Sequence, residues 1–206
     1  MRIREIASNE KEIIKQVVNI HLKTFNGFFL TFMGSGFLRQ MYAAYAKYEK
    51  SGLLVAFDNN KPVAFLAYST DMSGLYKYMV RHQLIPFALY SFCAFIRSPK
   101  IFMRLIRAFL KSSESKREES YVELASIGVE PGVKSKGIGS SLIEQLKKMI
   151  DFSVYKYITL ETDAIDNEVA NKFYVKNGFI LYRKYETREK REMNEYRFSP
   201  DEIEKG

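Results

Sequence analysis

The sequence is poor in the residues that build cross-links and metal centres. One cysteine, Cys93, stands among 206 residues, so no disulfide can close within the chain, and a reducing compartment is the expected setting. Cys93 lies in an apolar stretch and reads as a packing residue rather than a nucleophile. Two histidines, His21 and His82, cannot make a zinc site with a single thiol, and no metal is expected. Tryptophan is absent; Phe and Tyr carry the aromatic content. No apolar run reaches the roughly 18 residues of a membrane-spanning helix. The opening Met-Arg-Ile-Arg-Glu-Ile lacks the apolar stretch of a secretion signal. A cytoplasmic protein is expected.

Hydrophobic residues nonetheless make up 47% of the chain, enough for a sizeable core. The length fits one domain, residues 1–206, with an insertion. The formal net charge of +8 favours anionic partners: nucleic acid, a phosphate-bearing cofactor or an acidic membrane surface. Between Met72 and Ser113 there are seven Lys/Arg and no Asp or Glu. That aromatic, basic stretch, with Pro86 and Pro99 as interruptions, reads as two or three short helices within an insert at about 72–120.

Local patterns supply the elements. Arg2–Ile6 alternates as a short strand, and Asn9 with Glu12 forms a capping-box pattern. Ile13, Val17, Ile20 and His21 follow at helical spacing, and His21 on that stripe reads as a packed histidine. Phe37, Met41 and Tyr45 mark a second helix. Leu53–Phe57 and Val63–Tyr68 flank the turn cluster Asp58–Pro62, a hairpin. Tyr121–Val129 is a strand, Pro131–Lys136 a loop, and Gly137 opens a helix with Leu142, Ile143, Leu146 and Ile150 on one side. Tyr157–Glu161 is a strand. A helix then ends at Asn177-Gly178, and Phe179–Tyr185 with Arg191–Phe198 closes the chain as an antiparallel pair.

The segment from Ile127 to Leu142 carries the chemistry. A strand feeds a glycine-bearing loop, and the loop feeds a helix. The first N–H groups of a helix have no partner inside it and share its positive end, a natural seat for a diphosphate. Gly137 and Gly139 let the backbone come close, and Lys134 and Lys136 add charge. A Walker A loop would need a lysine where Ile138 stands. A dinucleotide fingerprint would need a third small residue where Leu142 stands.

Val129-Glu-Pro131 followed by Lys134-Ser-Lys-Gly137-Ile-Gly139 resembles motif A of the GCN5-related N-acetyltransferase (GNAT) superfamily. Lys134 occupies the position of its Gln or Arg, which keeps the charge and loses the planar fork. Downstream, Leu160-Glu-Thr162, Asn167, Ala170, Phe173-Tyr174 and Gly178-Phe179 resemble the strand, helix and Gly-Phe that follow in the same superfamily. The likeness is specific over about residues 121–185. It implies an α+β fold, with a mixed, mostly antiparallel central sheet flanked by helices and a helical insertion. It implies acetyl-CoA in an opening between the strands ending at Val129 and Glu161. Main-chain groups of Ile127 and Val129 would meet the pantetheine arm, and Lys134, Ser135, Lys136, Gly137, Ile138, Gly139 and Ser140 the pyrophosphate. Asn167 would contact the cofactor arm, and Tyr174 would stand near the sulfur.

Such chemistry needs a base for the protonated amine, a donor for the thioester oxygen and a proton for the leaving thiolate. Glu161 and Glu123 are the candidate bases, Glu123 sharing a side with Ala125, Ile127 and Val129 when the strand is counted by two. Tyr174 is the candidate acid. The expected activity is direct transfer of acetyl to a primary amine of a small molecule, with a nucleotide-linked amino sugar as the lead that the basic insert suggests. A protein amine, or a non-catalytic CoA-binding regulatory module, is the alternative. No helix-turn-helix pattern or exposed basic stripe points to nucleic acid. Peripheral membrane contact through residues 77–111 and a homodimer stay open as further partners.

Overall fold

A computed structural model of the chain describes residues 1–25, 29–82, 119–133, 137–187 and 190–200. Strands β1 (Arg2–Glu5), β2 (Ser51–Asp58), β3 (Lys61–Ser69), β4 (Tyr121–Val129), β5 (Tyr157–Asp163), β6 (Ile180–Glu186) and β7 (Glu192–Phe198) form one seven-stranded sheet in the order β1-β2-β3-β4-β5-β7-β6. Every neighbouring pair is antiparallel except β4 with β5. The helices are α1 (Lys11–Thr24), α2 (Phe29–Phe32), α3 (Gly34–Tyr45), α4 (Ile138–Met149) and α5 (Glu168–Lys176).

The sheet is covered on both faces, which explains why β2 and β3 read as continuous apolar runs rather than alternating ones. Val55, Phe65 and Ala67 join α1 and α3 residues such as Val17, Leu38 and Tyr42 in one cluster. Their neighbours Leu54, Ala64 and Leu66 join Leu142, Ile143, Leu146, Ile158 and Leu160 in the other, under α4 and α5. The β2–β3 hairpin turns through Asn59 and Asn60, both at positive φ (46° and 62°), a conformation asparagine tolerates and tight hairpins demand.

The helix ends follow local chemistry, with one departure. Asn9 and Glu12 do not form a capping box. Glu10 takes the cap position without a side-chain cap bond, and its carboxylate turns back to the Ala7 N–H at 2.8 Å and the Arg4 guanidinium. The stronger ionic partner across the β1–α1 corner wins over the local motif. At the far end of α5, Gly178 adopts φ +80°. Phe179 N–H donates to Tyr174 O, and Gly178 N–H to Val175 O, the paired bonds of a left-handed helix stop. Residues 72–82 are helical, capped by Asp71 Oδ1, which accepts from the Gly74 N–H at 2.8 Å. The remaining helices expected of the insert, Cys93, and all but residues 77–82 of the stretch expected to meet a membrane fall within residues 83–118, outside the described residues. Among the described residues no helix is long and apolar enough to cross a membrane.

Candidate active site

The site begins where the sheet comes apart. β4 pairs with β5 only at Tyr121, Val122 and Glu123, opposite Tyr157, Ile158 and Thr159. Beyond them β4 continues to Val129 and β5 to Asp163 without a ladder between them. The cause is on the other edge of β4. Ala67 pairs with Ser126 and Tyr68 with Leu124, which leaves Ala125 without an opposite residue on β3. Such a bulge bends and twists its strand, and here it carries β4 away from β5.

The same ladder fixes which main-chain groups face the gap. Glu130 N–H donates to Val63 O at 2.8 Å. Alternate residues of an antiparallel strand bond the same neighbour, so Gly128 and Ser126 also face β3. Ile127 and Val129 turn their N–H and C=O toward the edge that β5 has left. The Val129 carbonyl accepts from Thr24 Oγ1 at 3.2 Å, and Lys23 pairs with Glu130 at 2.8 Å; both contacts tie the end of α1 to the end of β4.

The bulge overturns the count by two that placed Glu123 beside Ile127 and Val129. Val122 and Leu124 belong to the cluster under α4 and α5, against which Ile127 and Val129 also pack. Glu123 therefore points to the opposite, α1/α3 face, where its charge helps raise the pKa of Tyr45. Glu161 lies on that face too, since its neighbour Leu160 is in the α4/α5 cluster. Its Oε2 accepts from the Tyr185 hydroxyl at 2.5 Å. Burial and then this carboxylate push the Tyr185 pKa up. The two candidate bases thus share the α1/α3 side, Glu123 at the apex of the split and Glu161 on the diverging strand.

The candidate phosphate-binding end lies at the start of α4. Gly137 caps the helix at φ +72°, and a Cβ placed on it would meet nothing within 4 Å: its approach side is open. The first internal bond of the helix runs from Ser141 N–H to Gly137 O at 3.0 Å, so the N–H groups of Ile138, Gly139 and Ser140 precede the ladder. The Ile138 side chain is buried in the core, which leaves that residue only its main chain for a ligand. Gly139 has a packing reason to be small, because a Cβ there would stand 3.0 Å from the ring of Phe173. Lys134, Ser135 and Lys136 lie outside the described residues.

Helix α5 covers the split from the α4 side. Asn167 precedes it, donating from Nδ2 to Thr162 Oγ1 at 2.6 Å and to Asp163 O at 3.3 Å; these bonds fix its amide at the open end of β5. Ala170 and Phe173 are half-buried against the core, and Tyr174 is buried in it, edge-on to Phe173 and Phe179. Burial pushes the Tyr174 pKa up to about 12, so its hydroxyl keeps its proton at neutral pH. The candidate acid and the two candidate bases thus lie on opposite faces of the sheet.

Counting along the sequence missed several members of this site. Asn171 anchors α5 by donating to Asp163 O and Asn167 O, while its Oδ1 accepts from Asn194 and Tyr196; its spacing of four from Asn167 was the available signal. Glu195, fully buried, binds Arg183 at 2.7 Å, Arg197 at 3.0 Å and the Thr159 hydroxyl at 3.3 Å behind the apex. Thr24 and Tyr42 meet β4, at Val129 and Ser126, only through tertiary packing, and no local pattern announces them.

Residues 15–179 match the model of the Acetyltransferase (GNAT) family. The chain belongs to that family. The enzyme is a GNAT N-acetyltransferase, with acetyl-CoA as its cosubstrate. Its fold is shared with an N-acetyltransferase from Staphylococcus aureus Mu50 (18% identity over 96% of this chain and 100% of that one, TM-score 0.61). It is shared with an aminoglycoside 6'-acetyltransferase type Ii (15% identity, 97% of each chain, TM-score 0.61). A third structure, described as a streptothricin acetyltransferase from Bacillus anthracis in complex with acetyl coenzyme A, covers 77% of this chain and 67% of its own (16% identity, TM-score 0.50). No curated protein matches the sequence. The acetyltransferase fits its cosubstrate on its own geometry: a parted strand pair, an open glycine at a helix start, and main-chain groups turned into the gap. Among the described residues no group of His, Cys, Asp and Glu could hold a metal ion.

Proposed function

We propose that the enzyme transfers acetyl directly from acetyl-CoA to a primary amine of a small molecule, with the cofactor on the α4/α5 side of the split and the acceptor entering from the α1/α3 side. The observation that carries this reading is the parting of β4 from β5 after Glu123, next to a helix start led by Gly137. The N–H groups of Ile138, Gly139 and Ser140 bind the pyrophosphate together with Lys134, Ser135 and Lys136. Main-chain groups of Ile127 and Val129, with Asn167, hold the pantetheine arm. Glu123 or Glu161 takes the proton of the incoming ammonium, and Tyr174 gives its proton to the departing thiolate. The lone Cys93 has no part in direct transfer.

An anionic amine, such as a nucleotide-linked amino sugar, is the acceptor class that the net charge of +8 and the seven-cation, acid-free run between Met72 and Ser113 support. The whole domain 1–206, with its insert at 72–120, acts as one unit in this reading. A panel of amines assayed for free CoA release, run beside Tyr174→Phe, tests it. Turnover only with peptide amines would move the acceptor to proteins, and CoA binding without turnover on any amine would leave a regulatory module. Gly137→Glu should fold yet lose the heat of CoA binding, because a carboxylate would stand where the phosphates go. Unchanged CoA affinity in that variant refutes the placement.

A further inference from the structure

We infer that the Ser126 hydroxyl donates a hydrogen bond to the acetyl carbonyl oxygen, aimed by a buried His21–Tyr42 pair; the inference rests on the acetyltransferase reading above. His21, on α1, is 3% exposed, with its ring between Phe25 and Phe65. Its Nδ1 lies 2.7 Å from the Tyr42 hydroxyl, which lies 3.4 Å from Ser126 Oγ. Its Nε2 is buried with no partner among the described residues. Nothing in the acid–base assignment uses this chain of three groups.

The direction of the chain follows from which nitrogen holds the proton. Burial lowers the His21 pKa to about 4, so the ring is neutral and carries one N–H. Placed on Nε2, that N–H would be a buried donor with no acceptor among the described residues, the rarest kind of unpaired group. Placed on Nδ1, it donates to the Tyr42 oxygen, and only a lone pair stands idle. Tyr42 is fully buried and its pKa is raised by burial; it keeps its own hydrogen and, with its oxygen accepting from His21, donates a hydrogen bond to Ser126 Oγ. The Ser126 hydrogen must then point away from Tyr42.

That leaves the hydroxyl free to donate to a group at the split, beside which Ser126 stands. Ser126 follows the bulge residue Ala125 and stands on β4 past its last pairing with β5. Its side chain is on the α1/α3 face, from which the acceptor comes, and the next N–H, of Ile127, is turned into the gap. Consecutive residues thus offer an O–H and an N–H at one edge, the arrangement that stabilises charge growing on a carbonyl oxygen. As the amine nitrogen bonds to the carbonyl carbon, the C–S bond breaks; sulfur leaves with its electron pair and takes a proton from Tyr174, and the proton that nitrogen sheds in becoming a neutral amide restores Tyr174 through water. Ser126 transfers no proton; it donates throughout. His21 and Tyr42 are positioning residues.

The test reads the carbonyl itself. The infrared band of carbonyl-labelled acetyl-CoA is recorded on wild type without any amine, and on Ser126→Ala, Ser126→Thr, Tyr42→Phe, His21→Leu and His21→Asn, beside CoA calorimetry and circular dichroism on each. Binding should move the band to lower frequency in wild type. The shift should shrink in Ser126→Ala, Tyr42→Phe and His21→Leu with CoA affinity unchanged. It should survive in Ser126→Thr, which keeps the hydroxyl, and in His21→Asn, whose amide N–H can stand in for Nδ1–H. With an amine substrate, kcat of Ser126→Ala should fall about ten- to hundredfold at constant KM for acetyl-CoA, since the Ile127 N–H remains. A full band shift in a folded Ser126→Ala that binds CoA overturns the inference and leaves the acetyltransferase reading standing. Failure of wild type to bind acetyl-CoA strikes that reading first, and this one with it.

Discussion

Acidification should destabilise this protein through one buried ring. The folded state holds His21 neutral, with its pKa lowered from 6.5 to about 4 by burial, whereas the unfolded chain protonates it at the ordinary value. Between those two pH values the unfolded state binds a proton that the folded state refuses, so stability falls as pH falls. It is level above about pH 6.5 and level again below about pH 4. The depth follows from the shift: at about 1.4 kcal/mol per unit, His21 alone removes about 2–3 kcal/mol between pH 7 and 4.5. Carboxylates titrate over part of that range, so the measurement is a difference: urea melts of wild type and His21→Asn at pH 7.5, 6.5, 5.5 and 4.5. The substitution shifts all its midpoints by some constant amount; what matters is the slope. Wild type should lose about 2–3 kcal/mol more than the variant on going to pH 4.5, and parallel pH profiles would refute the account of His21 as a neutral, solvent-excluded group.

Other outcomes follow from the packing. Gly178→Ala, at φ +80°, should cost about 1–2 kcal/mol in urea melts, because a Cβ is disfavoured in the left-handed region. Leu142→Ala, with the side chain at 0% exposure, should cost about 2–5 kcal/mol; a smaller loss would mean that α4 is loosely seated. Glu195→Ala removes a fully buried carboxylate from Arg183, Arg197 and Thr159. A loss of about 2–3 kcal/mol is expected, below the 3–5 of a wholly enclosed pair because Arg183 can turn to water. Tyr174→Phe should lower kcat with little change in CoA affinity, and an unaltered rate across the amine panel would remove Tyr174 from the proton path.

Much of the architecture was legible because it is local. The hairpin at Asn59-Asn60, the strand Tyr121–Val129 and the stop at Gly178 are written in turn residues and short apolar runs, and the structure puts them where the sequence does. The two-part signature from Val129 to Phe179 led to the family for the same reason: its spacing encodes a helix start and one helix face. What could not be read was set by pairing across the sheet. The bulge at Ala125 exists only in register with Ala67 and Tyr68, so counting along β4 put Glu123 on the wrong face. Glu10 displaced Asn9 as helix cap through its bond to Arg4 on β1. Ser126, Tyr42 and His21 come from three elements and meet across up to 105 positions of sequence.

The bonds from Thr24 and Lys23 to Val129 and Glu130 carry a lesson for remodelling. They rivet the last turn of one helix to the end of the strand that borders the split. A change at either bond should therefore be felt along the strand edge that faces the split, and not at the helix end alone.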